Sequence, residues 1–316
     1  MISSVLTYLR GFPSWHNGGR LGLAIALGLV LALASGCSQI EASPPPNLPL
    51  PRSSTPSPSP SSSPEVMPTA SSTVDCMTIP GQLTGGVYHS LILNEDMPVR
   101  VYLPPCYGAA NKAYPTLYLL HGTPLASSDW ESMGVVDLAN EAIQKSEWPA
   151  FIMIMPHVPN SMYTNTDGGP NSYEAELVDG LVSFVDLAYR TDPRPQARAL
   201  AGISRGGVWA LEIGLRNPDV FSTVAAVSPS LAVNNPRPAY DPLAIARNPV
   251  NPPRLLLLAG DHDWARDGTE QLDQLLTTRG VPHQYVVFPG KHEESAWQAS
   301  LKPLIASLVS GWSTQQ

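Results

Sequence analysis

The sequence predicts one α/β domain over residues 76–316, built on a mixed, mostly parallel sheet flanked by helices. Three observations carry that expectation. Short, near-continuous apolar runs recur along this stretch, as strands buried on both faces of a parallel sheet require. Helical patterns fall between them, and a hairpin pattern precedes the alternation.

The elements follow in order. Residues 87–93 and 99–103 read as the opening strands, bridged by a turn over residues 94–98. The runs at 116–120 (TLYLL), 151–155 (FIMIM), 198–201, 223–227 and 254–258 (RLLLL) are the buried strands, and 285–288 is the last. Helical patterns occupy 135–145, 174–189, 207–216 and 269–278, with a closing helix at 294–309. Two connections are long, 157–173 and 228–253, the second with seven prolines. They are candidate walls or a cap over a cleft, because ligands in such folds bind beyond the carboxyl ends of the strands.

The region before residue 76 is of another kind. Residues 41–70 hold ten Pro and eight Ser, too little apolar surface to offset the entropy of ordering. We read residues 37–75 as a disordered tether. Residues 1–36 carry Arg10 and Arg20, no acid, and 14 consecutive apolar residues at 21–34. A membrane span needs about 20, a signal-peptide core about 7–15. Ser35-Gly36-Cys37 then resembles a bacterial lipobox, which makes Cys37 a candidate lipid-attachment site and the protein a membrane-anchored lipoprotein outside the cytoplasm. Ordinary secretion and an uncleaved anchor are the alternatives. Cys76 and Cys106 remain, and an oxidising compartment permits a disulfide between them, with two free thiols as the alternative. Their spacing matches no zinc site. The net charge of −8 leaves no electrostatic footprint for nucleic acid.

Gly202-Ile203-Ser204-Arg205-Gly206 reads G-x-S-x-G between a predicted strand and a predicted helix. A lone match is weak evidence, but the strand–turn–helix setting is what a nucleophile elbow needs, and the helix N-terminus adds partial positive charge beside the serine. A serine hydroxyl needs a base and the base an orienting carboxylate, in the order Ser, acid, His, each beyond a later strand. Asp261 and Asp263 follow the run at 254–258, and His292 follows the one at 285–288. His16, His89, His157 and His283 fall at the wrong places. The backbone N–H groups of Arg205 and Thr123 are the candidate oxyanion hole, with Gly122 letting the chain turn in closely. His121 reads as a loop-shaping residue rather than a base.

Tyr88-His89-Ser90, the stretch from Arg100 to Pro105, the stretch from Tyr114 to Gly122, Tyr189-Arg190-Thr191, the elbow, and Ser228-Pro229-Ser230-Leu231 together resemble the Putative esterase family of α/β hydrolases. That family includes enterochelin esterases, feruloyl and acetyl xylan esterases, S-formylglutathione hydrolases and mycolyltransferases. The resemblance covers about 230 residues. It implies an α/β-hydrolase fold with Ser204 as nucleophile, His292 as base and, through a G-x-x-D motif starting at Gly260, Asp263 as acid. One departure is Arg205, where the family commonly has Met. The resemblance implies a serine hydrolase of small-molecule carboxylic esters, with no cofactor and no metal. Acyl transfer by the same machinery is the alternative, and an inactive lipid-anchored binding protein a more distant one. Neighbouring residues 261–263 could not converge on one metal ion.

Overall fold

The computed structural model describes residues 75–109, 111–158, 168–233 and 236–312. The signal and tether expectations, with Cys37, lie outside the described residues. The strands are β1 (Gln82–Ser90), β2 (Glu95–Leu103), β3 (Thr116–Leu120), β4 (Ile152–Pro156), β5 (Arg198–Ile203), β6 (Thr223–Val227), β7 (Arg254–Gly260) and β8 (His283–Phe288). They form one eight-stranded sheet in the order β1-β2-β4-β3-β5-β6-β7-β8. β1 and β2 are antiparallel, β2 meets β4 antiparallel, and every pair from β4 through β3 to β8 is parallel.

The helices are α1 (Ser127–Ser132), α2 (Val135–Gln144), α3 (Tyr173–Ala175), α4 (Val182–Ala188), α5 (Arg205–Arg216), α6 (Pro242–Ile245), α7 (Arg266–Thr278) and α8 (Glu294–Val309). A π-helical stretch, Glu176–Leu181, joins α3 to α4, so the pattern at 174–189 is one interrupted helix.

The apolar runs are explained by the two faces of the sheet. Tyr118, Leu120, Leu255 and Leu257 point into a core completed by Val208, Leu211 and Leu272 of α5 and α7. Leu117, Leu119, Leu256 and Leu258 point into a second core, completed by Val135 and Ala139 of α2 and by Leu301, Leu304 and Ile305 of α8. Each fully buried leucine contributes about 2 kcal/mol of apolar transfer, so a charged residue at these positions would be costly on either face.

The opening turn lies earlier than the pattern suggests. It occupies residues 91–94, and Glu95 already starts β2. Asn94 supplies the left-handed corner with φ 54°, a conformation asparagine tolerates better than most residues. Pro98, expected in the turn, pairs within the sheet opposite Val87, and its carbonyl accepts the His157 N–H at 3.1 Å. α1 and α6 have no counterpart in the sequence pattern, and α5 begins two residues before the predicted helix, directly after Ser204. Cys76 and Cys106 are joined by a disulfide with Cα atoms 5.1 Å apart, tying the segment before β1 to the segment after β2.

Candidate active site

The loops after β3, β5, β7 and β8 meet at the carboxyl ends of the parallel strands. The elbow after β5 is dictated by sterics. Ser204 has φ 54° and ψ −116°, outside the regions ordinary residues prefer. Its neighbours must therefore give way. A Cβ on Gly202 would sit 2.1 Å from the Gly206 carbonyl oxygen, and one on Gly206 would sit 2.3 Å from the Leu120 oxygen. The serine is then pinned by its own backbone: its N–H donates to Val227 at 2.9 Å, and its carbonyl accepts from Val208 at 3.1 Å and Ser230 at 3.2 Å. Only about 7% of Ser204 remains exposed.

The loops after β7 and β8 are joined to each other. Asp261 N–H donates to Phe288 O at 2.8 Å and His262 N–H to Gly290 O at 3.0 Å. The Asp261 carboxylate accepts the Gly290 N–H at 2.9 Å and contacts His262 Nδ1 at 2.7 Å. The Gly290 N–H first, and His262 second, hold its pKa below the ordinary carboxylate value. Asp261 thus staples the two loops and makes no bond to His292. Asp263 turns inward instead. Its Oδ1 lies 2.8 Å from His292 Nδ1 and accepts the Ala265 N–H at 2.8 Å, and its side chain is fully buried. Burial opposes the charge of Asp263, but His292, Ser228 and the Ala265 N–H outweigh it and lower the pKa. His292 Nε2 lies 2.8 Å from Ser204 Oγ. Ser204, His292 and Asp263 therefore form one unbroken hydrogen-bonded chain.

The loop after β3 closes the other side. A Cβ on Gly122 would come within 3.1 Å of the Ser204 Cβ, so this backbone passes directly beside the serine. Thr123 follows it and is exposed. His121 is buried, accepts the Val158 N–H at Nε2 (3.1 Å) and so donates from Nδ1 to the Gly122 carbonyl at 2.8 Å. Burial is the main reason its pKa falls below the ordinary imidazole value. It shapes the loop and stands outside the chain of Ser204, His292 and Asp263. Arg205 opens α5, and its guanidinium lies 5.4 Å from the Trp209 ring centre. Burial, opposed by Glu212, lowers its pKa.

Three neighbours carried no assigned role in the sequence. Trp264 and Trp297 flank the His292 ring, and the Trp297 indole N–H donates to Ser228 Oγ at 3.2 Å. Trp264 was findable as the residue after Asp263 and Ser228 as the start of the Ser228–Leu231 motif, whereas Trp297 lies on α8 and has no local signature. Among the described residues no cluster of His, Cys, Asp or Glu could hold a metal ion. A cavity of about 520 Å³ lined by Tyr114, Trp148 and Trp312 lies at the amino ends of the strands and contains none of the residues above.

Residues 90–308 match the model of the Putative esterase family, more than half of the chain. The chain belongs to that family. It is 27% identical over 218 residues to an endo-1,4-beta-xylanase/feruloyl esterase of Xylanibacter ruminicola, which covers 66% of this chain and 29% of the relative. The chain therefore spans under a third of that relative's length. Among solved structures, a ferulic acid esterase superposes with a TM-score of 0.67 at 22% identity, covering 74% of this chain and 99% of its own. An S-formylglutathione hydrolase from Staphylococcus aureus gives 0.62 at 21% identity, covering 72% and 99%. Both likenesses establish the α/β-hydrolase fold.

Proposed function

We propose that the protein hydrolyses carboxylic esters through an acyl-enzyme on Ser204. The observation that carries this reading is the chain from Ser204 Oγ to His292 to Asp263, each link 2.8 Å. As Ser204 attacks the ester carbonyl, His292 Nε2 takes its proton, and Asp263 keeps Nδ1–H in place and stabilises the imidazolium. The developing oxyanion is received by the N–H groups of Arg205, at the N-terminus of α5, and Thr123, on the loop that passes beside Ser204. His292 then returns the proton to the departing alcohol, and water releases the acid by the same route. Feruloyl esters are the first substrates to try, since a relative and a structural neighbour carry that name.

The experiment is a panel of p-nitrophenyl esters of rising acyl length, with a feruloyl ester added, on wild type and Ser204→Ala. Hydrolysis that disappears in Ser204→Ala supports the reading; equal rates in the two proteins would reject it. We also propose that residues 1–36 are removed, that Cys37 carries lipid, and that residues 37–75 tether the enzyme to a membrane outside the cytoplasm. The small residues before Cys37 and the Pro/Ser-rich stretch after it support this. Cys37→Ala should release the protein from the membrane fraction. Wild type found wholly soluble and cut elsewhere would overturn the anchor.

A further inference from the structure

Two tryptophans contact the His292 ring, and they differ in one respect. Trp297 meets it edge-on, with centroids 5.0 Å apart and planes at 87°, is about 6% exposed, and spends its indole N–H on Ser228. Its position is explained by the core. Trp264 lies over the ring at 4.4 Å with a 38° tilt and is 50% exposed. This indole is thus shared between contact with the imidazole and solvent.

We propose that Trp264 is the platform for the leaving group and selects alcohols that carry a flat ring. The inference rests on the esterase reading. In the acylation step the Ser204 Oγ–C bond forms, the ester C–O bond breaks, and the proton held at His292 Nε2 moves to the departing alkoxy oxygen. That oxygen must come within hydrogen-bond reach of Nε2. It then lies about 4 Å from the centre of the imidazole, the ring that Trp264 contacts with centroids 4.4 Å apart. The acyl part stays bonded to Ser204, whereas the alcohol leaves at His292, the ring that Trp264 touches, so Trp264 is placed to meet the alcohol. A ring in the alcohol gains an aromatic contact that an acyclic chain of similar size does not match, about two- to twelvefold in rate or binding. A role limited to shielding the imidazole would instead affect all esters equally.

Benzyl acetate and butyl acetate separate these cases, because they share the acetyl-enzyme and differ only in the alcohol. In Trp264→Ala the ratio of kcat/KM for benzyl over butyl acetate should fall about twofold or more, and Trp264→Phe should restore most of it. The partition of acetyl-enzyme between water and hydroxylamine should not depend on which ester formed it. A second measurement needs no turnover: benzyl acetate binding to Ser204→Ala should weaken by a similar factor when Trp264→Ala is added, and butyl acetate binding should weaken less. An unchanged ratio in both measurements would overturn the platform. If wild type hydrolyses neither ester, the esterase reading stands or falls on the p-nitrophenyl and feruloyl panel, and the binding comparison still decides the role of Trp264.

Discussion

The loop after β5 and the paired loops after β7 and β8 deliver side chains to the same point by different means. At the elbow the geometry is local: Gly202 and Gly206 leave no room for a Cβ, and Ser204 takes a left-handed φ within five residues of chain. After β7 and β8 it is long-range. Asp263 and His292 are 29 residues apart and meet because Asp261 and the backbone around Gly290 join their loops. A site can thus combine one sterically forced element with one held by hydrogen bonds, and the two should fail differently when altered.

The largest effect should come from the long-range pair. Asp263→Asn should lower kcat by about 10⁴ through the wrong imidazole tautomer, with little change in Tm, read by ester kinetics and thermal melting. An active Asp263→Asn beside an inactive Asp261→Asn would exchange the two aspartates. At the elbow, Gly206→Ala forces the backbone away from the Leu120 oxygen, and a displacement near 1 Å should cost about 10² in kcat. Unlike Asp263→Asn it should also destabilise, by about 1–3 kcal/mol in urea unfolding. Cys76→Ser with Cys106→Ser gives the contrast from outside the site. Opening a link across 30 residues should cost about 3–4 kcal/mol of stability while kcat holds.

Smaller effects sharpen the distinction. Asp261→Asn should lower Tm modestly and raise KM or lower kcat only slightly, because it loosens the staple without touching His292. His121 offers a pH test. Its folded pKa is lowered, so below about pH 6.5 the unfolded chain takes up the proton first and stability falls with pH toward the lowered value. His121→Gln should flatten that part of the Tm profile, and an unaltered slope would mean another group titrates there.

Legibility in the sequence follows the same division. The buried strands were readable because TLYLL and RLLLL face cores on both sides, and β6 and α8 have the limits the pattern suggests. The elbow was readable because glycine spacing is itself the steric requirement. The choice between Asp261 and Asp263 rested on family resemblance, since two carboxylates on one loop look alike until the partner loop is in place. The hairpin corner at Asn94, the short helices α1 and α6, and the convergence of Ser228, Trp264 and Trp297 on Asp263 and His292 depend on tertiary contacts that no local pattern encodes.

The central claim is that Ser204 becomes acylated. The most direct measurement is acid quenching of a p-nitrophenyl acetate reaction within the first turnovers, followed by peptide mass spectrometry. The account predicts an acetyl group on the peptide containing Ser204, formed at the rate of the p-nitrophenol burst and absent in Ser204→Ala. An acetyl group on another residue, or turnover in Ser204→Ala at the wild-type rate, would contradict it.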